Sequence, residues 1–110
     1  MKITQEKKNE VVICRIEGEI DFNTSPQLRK VFDSFIRENV KKVALDFSKV
    51  SYIDSSGLAT LIELLQKFKK IESKFRIFGM NQKVKNIFEV TKVYKIFEIF
   101  DDEDTALKDF

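Results

Sequence analysis

The sequence predicts an α/β fold: a single domain over residues 1–110, with a mixed, mostly parallel sheet that opens on an antiparallel hairpin and is packed by about four helices. Two patterns lead to that expectation. From residue 25 onward, short β-branched or apolar runs alternate with stretches of helical periodicity, as in βα units whose parallel strands are joined by right-handed crossovers. Ahead of them, two strand-like runs are separated only by the polar tetrapeptide KKNE, which suits a hairpin turn and is too short for a crossover.

Residues 2–6 and 11–17 are the hairpin strands, both rich in β-branched residues. In TSPQLRKVFDSFIREN, Thr24 and Ser25 read as caps before a first-turn Pro26, and Leu28, Val31, Phe32, Phe35 and Ile36 recur on one helical face. Val43–Phe47 is a short, mostly apolar run, expected of a central strand covered on both sides. A second helix follows DSSG. Its apolar stripe is Leu58, Leu61, Ile62, Leu65 and Phe68, with Lys67, Lys69 and Lys70 at the end where the macrodipole is negative. KFRIFG is then a strand ended by Gly79, NQKVKNIFEV a helix capped by Asn81, and YKIFEIF a strand. DDEDTALKDF closes the chain as a helix with an acidic start, which is the simpler reading of DDED than a metal cage.

Composition narrows the function. With 43% hydrophobic and 35% charged residues, three glycines and one proline, the chain is a globular protein and not a disordered or fibrous one. Its 20 basic and 18 acidic residues are mixed along the sequence, so nothing demands nucleic acid, and the lysine clusters fit element ends. The single Cys14 excludes an internal disulfide, reads as a small buried apolar residue, and suits a reducing cytoplasm. No apolar run is long enough to cross a bilayer, and MKITQEKKNE lacks a signal-type hydrophobic segment, so a cytoplasmic protein without membrane contact is expected. The absence of histidine removes Ser-His-Asp and Cys-His catalysis, most zinc sites and phosphohistidine relays. No catalytic residue, metal or cofactor is expected.

DSSG, residues 54–57, offers more oxygens than a helix start requires. Asp54 or Ser55 would accept a backbone N–H as N-cap, and one cap suffices. Gly57 would leave the first turn bare, so that another molecule could approach the serines closely. On these residues alone, an ordinary capping role and a binding role both stay open.

The run VALDFSKVSYIDSSGLATLIELL, with GEIDFNTSPQL upstream of it, resembles the STAS domain of bacterial anti-sigma factor antagonists, and the similarity extends over essentially the whole chain. The resemblance implies a STAS-type fold and a regulatory binding protein. In its unphosphorylated form it would capture an anti-sigma factor that is also a serine kinase, and so free a sigma factor. It implies that Ser55 is the phosphoacceptor, and that a serine phosphatase reverses the modification. Asp21, Asp54, Ser56 and Gly57 would form the surrounding switch surface. Ala59 departs from the pattern, standing where many members carry a second glycine. Val84, Ile87 and Phe88 are core residues or, on the family pattern, part of the partner surface. Two other readings remain at this point: a STAS-type scaffold or nucleotide- or anion-sensing module using the helix end, and an enzyme with Ser55 or Ser56 as nucleophile. The second lacks GxSxG, histidine and an obvious lysine base.

Overall fold

The chain turns back on itself first at Asn9 and Glu10, both left-handed with φ of 53° and 67°, the backbone of a two-residue primed turn. That turn pairs β1 (Lys2–Lys8) antiparallel with β2 (Val11–Ile20), in the register Lys8 to Val11. A computed structural model describes all residues 1–110. After the hairpin come α1 (Ser25–Arg37), β3 (Lys42–Ile53), α2 (Ser55–Lys70), β4 (Lys74–Phe78), α3 (Gln82–Val90), a 3₁₀ turn at Val93–Lys95, β5 (Ile99–Phe100) and α4 (Glu103–Leu107). The five strands lie in sequence order, β1-β2-β3-β4-β5, and every pair after the hairpin is parallel. Strands that add side by side through right-handed crossovers put their connecting helices on one face. The large core cluster accordingly joins one sheet face (Cys14, Ile16, Leu45, Phe47, Ile77) to the stripes of α1, α2 and α3.

Aromatic rings span that core. Phe32 of α1 meets Phe68 of α2 and Phe75 of β4 at centroid distances of 5.0 and 5.4 Å, and Phe97 bridges Phe75 to Phe88 of α3 at 5.9 and 5.8 Å. The Phe32–Phe75 and Phe88–Phe97 pairs meet edge to face, and pairs of this kind add about 0.5–1.5 kcal/mol each beyond their buried area. The opposite sheet face carries a smaller cluster of Val11, Ile13, Ala44 and Phe78, closed by Ala106 of α4. Arg76 holds this closure. Its guanidinium donates to the carbonyls of Ala106 and Lys108 at 3.0 Å and lies 4.4 Å from the centroid of the Phe110 ring.

Beside it, Arg15 donates to Asp46 at 2.8 Å and to Glu103 at 2.9 Å, and pairs with Glu6. Desolvation pushes the Asp46 carboxyl up, but hydrogen bonds from Ser48 and Arg15 outweigh it and hold the group below the ordinary carboxylate range. Glu103 is held low chiefly by its hydrogen bond from Arg15. The acidic start of α4 is thus used structurally: Asp102 caps the helix through the Thr105 N–H at 2.9 Å, and Glu103 is ion-paired.

Three local expectations are corrected. β3 is twelve residues long and continues past Phe47, because beyond its last pair with β4 (Asp46 to Phe78) it still pairs with β2 as far as Ile53. Lys49 and Ser51 on its open side broke the apolar run that marked the strand in the sequence. YKIFEIF is not one strand: Lys92, with φ of 62°, ends α3 and leads into the 3₁₀ turn, Phe97 points into the core, and only Ile99 and Phe100 pair with β4. Ser25 is not a cap either. It is the first helical residue, buried to 2% exposure, and Thr24 occupies the cap position.

Candidate functional site

The far end of β3 delivers the serines. Ile53 is fully buried, Asp54 stays extended (ψ −176°), and the chain turns into α2 at Ser55. Asp54 is the cap: its Oδ1 accepts the Gly57 N–H at 2.8 Å, and its carbonyl accepts the Leu58 N–H at 3.0 Å. Ser55 is therefore relieved of capping. It stands exposed at the first helical position, at the end of α2 where the macrodipole is positive. Ser56 is half-buried, and its backbone carbonyl accepts the Thr60 hydroxyl at 2.9 Å.

Gly57 faces the other way. A Cβ there would lie 2.7 Å from Ile53 Cγ1 and closer still to the Ile20 carbonyl oxygen. The expectation that this glycine opens the serines to an approaching molecule gives way to a packing reason: the residue is buried, and its lack of a side chain lets α2 sit directly on the end of β2.

That contact joins the two sequence motifs. The Asp54 N–H donates to the Ile20 carbonyl at 3.2 Å, so the last residue of GEID, Asp21, begins where α2 begins. Asp21 Oδ1 accepts the N–H groups of Asn23 and Thr24 at 2.9 and 3.0 Å, while Thr24 Oγ1 accepts the Asp21 N–H at 2.9 Å and donates to the Glu19 carbonyl at 2.8 Å. Asp21 thus folds its own turn and sets the loop against the start of α2.

Of the five singled-out residues, Asp21, Asp54 and Ser56 are half-buried, Ser55 is exposed and Gly57 is buried. Sequence reasoning missed what flanks them. Phe22 is 77% exposed, an unusual placement for a large apolar side chain. It stands at the edge of a groove of about 440 Å³ between the starts of α1 and α2, shared with Pro26, Arg29, Ser56 and Ala59. Arg29 crosses this groove to Glu63 at 3.1 Å and to the Thr60 hydroxyl at 3.2 Å. Phe22 lies in a turn with no periodicity to mark it; the only signal was an aromatic among the polar residues DFNTSP. Val84 and Phe88 are buried, whereas Ile87 is half-buried. No helix is long and apolar enough to cross a membrane.

Known proteins resemble this chain in sequence and in fold. The chain is 27% identical to an anti-sigma F factor antagonist from Paenibacillus polymyxa over 108 residues, covering 97% of this chain and 92% of that protein. A crystal structure from Thermotoga maritima, of a protein assigned as an anti-sigma factor antagonist, superposes with a TM-score of 0.90 at 25% identity over 96% of this chain and 92% of the other. The anti-sigma factor antagonist SpoIIAA, at 19% identity, shares the fold with a TM-score of 0.71 over 94% of this chain and 92% of its own. The phosphorylated form of this Bacillus cell fate determinant gives the same score. The model of the STAS domain matches residues 2–106, from the first strand to the last helix, and places this chain in the STAS domain family.

Proposed function

We propose that this protein is an anti-sigma factor antagonist switched by phosphorylation of Ser55. The observation that carries the reading is the division of labour at the start of α2: Asp54 caps the helix, and the adjacent serine is left exposed at its positive pole. A phosphate on Ser55 meets backbone dipoles that favour negative charge, so the helix and the sheet beneath it persist. A partner packed on that helix end meets a different situation. It would have to desolvate a group of nearly two charges beside Asp54 and Asp21. A penalty of about 3–5 kcal/mol weakens the complex on the order of a hundred- to several thousand-fold, enough for a switch without a large conformational change.

The partner is an anti-sigma factor serine kinase, which brings nucleotide, magnesium and the proton acceptor, so this chain serves as substrate. A serine phosphatase resets it. Support comes from the antagonist relatives over nearly the full length and from SpoIIAA, whose fold is known with and without phosphate. The exposed Phe22 and its groove extend the surface that such a partner would cover.

Incubation with the kinase and ATP, followed by peptide mapping, tests the site: label is expected on Ser55, and label confined to another residue overturns the assignment. Ser55→Ala is expected to bind the kinase and stay bound in ATP. Ser55→Asp, with about one charge in place of nearly two, is expected to weaken binding only in part.

A further inference from the structure

Residues 94–99 form a ridge along the open edge of the sheet, between α3 and the end of β5. On one flank Tyr94, Phe97 and Ile99 line a groove of about 580 Å³ with Met80 and Phe88. On the other, Ile96 and Glu98 line a groove of about 350 Å³ with Leu65 and Phe75. Tyr94 and Ile96 are 45% and 48% exposed, so two of the chain's few exposed large apolar side chains stand together on this ridge.

The charges around it are mixed in sign: Lys69, Lys74, Lys85, Lys92 and Lys95 stand with Glu72, Glu89, Glu98 and Asp101, which leaves no strong single-sign field for a polyanion or an anionic lipid surface to hold. Along the chain, however, the exposed lysines come first, at 92 and 95, and the exposed acids follow, at 98 and 101. The acids have internal partners at 3.3 Å (Arg76 to Glu98) and 3.4 Å (Lys85 to Asp101), yet their side chains remain 48% and 87% exposed. Lys92 and Lys95 form no ion pair within the chain. A strip that is basic at one end and acidic at the other is complementary to itself when turned through a two-fold axis.

We propose that this ridge is a contact surface for a second copy of the chain. The two ridges lie antiparallel, each setting Tyr94 and Ile96 against the grooves of the other, with Lys92 and Lys95 opposite Glu98 and Asp101 of the second copy. Side chains make the contact. A continuous sheet across the edge is excluded, since β5 offers only two residues and its antiparallel pairing would set Glu98 against Asp101. Ser55 follows β3, two strands in from this edge, so both copies keep it open.

Sedimentation equilibrium of the full chain tests the proposal independently of any kinase. The wild type is expected to approach twice the 12.9 kDa chain mass with rising concentration, less readily at high salt. Ile96→Asp, on an exposed side chain, is expected to weaken association at least about tenfold with an unchanged circular dichroism spectrum. Lys92→Glu with Lys95→Glu, and separately Glu98→Lys with Asp101→Lys, are each expected to be monomeric, and their equimolar mixture to associate again. Should the second pair fail to fold, Ile96→Asp and the lysine reversals carry the test. A wild type that stays monomeric at millimolar concentration, a dimer indifferent to Ile96→Asp or to the lysine reversals, or a mixture of folded variants that does not associate overturns it.

Discussion

Gly57→Ala puts the packing of the switch helix to the test. In a solvent-facing helix the change would add about 1 kcal/mol of stability through helix propensity. Here the new methyl group meets Ile53 Cγ1 at 2.7 Å and presses harder still on the Ile20 carbonyl, which is backbone and cannot rotate aside. Overpacking against rigid neighbours costs about 3 kcal/mol, so the net loss is about 2 kcal/mol. For a domain of this size that lowers the melting temperature by about 8 °C. Because relief comes only by lifting the start of α2, the bond from the Asp54 N–H to Ile20 should lengthen too, and its amide should lose protection from hydrogen exchange. Thermal and urea melts with amide exchange measure both effects. A variant as stable as the wild type, or more stable, would refute the packing role assigned to this glycine.

Other expectations are simpler. Asp54→Ala removes the side chain that accepts the Gly57 N–H and should cost about 1 kcal/mol in a denaturant melt, whereas Ser55→Ala, at a position with no capping duty, should cost at most a few tenths. Arg15→Met leaves the 7% exposed Asp46 with its Ser48 hydrogen bond but without its cation. With Arg15 itself 35% exposed, the loss at neutral pH should be about 2 kcal/mol by urea titration. Asp46 and Glu103 have depressed folded-state pKa values, so the stability they contribute is full above the ordinary carboxylate range and drains as pH falls through those lower values. Melts between about pH 5 and pH 2 should therefore fall more steeply in the wild type than in Arg15→Met. Burial pushes the Cys14 thiol up to about 12, so iodoacetamide at mildly alkaline pH should label it only after denaturation, with mass spectrometry as the readout.

The legible parts of the sequence were those where one physical pattern acts alone. The stripes of α1 and α2 are set by burial on one side, and Leu28, Phe32, Phe35, Leu61 and Phe68 are all buried as their spacing requires. Patterns misled where two causes overlap. The later half of β3 mixes buried Val50 and Ile53 with exposed Lys49 and Ser51, which reads as a loop until its pairing with β2 is known. The alternation in YKIFEIF came from Phe97 entering the core out of a 3₁₀ turn, not from a pleated strand. At the site, DSSG announced a helix start, but which oxygen caps it and which way Gly57 faces depend on the approach of Ile20, some 35 residues earlier in the chain. Phe22 carried no periodic signal because a turn has none.

The order of the strands also bears on how the protein is made. Each new strand joins the outer edge of the one before it, so none must be threaded between two already paired. A nascent chain can therefore dock each βα unit as it emerges, at about 5–20 residues per second, onto a template already present. Growth then stops of its own accord, because the final two-residue strand is too brief to recruit another.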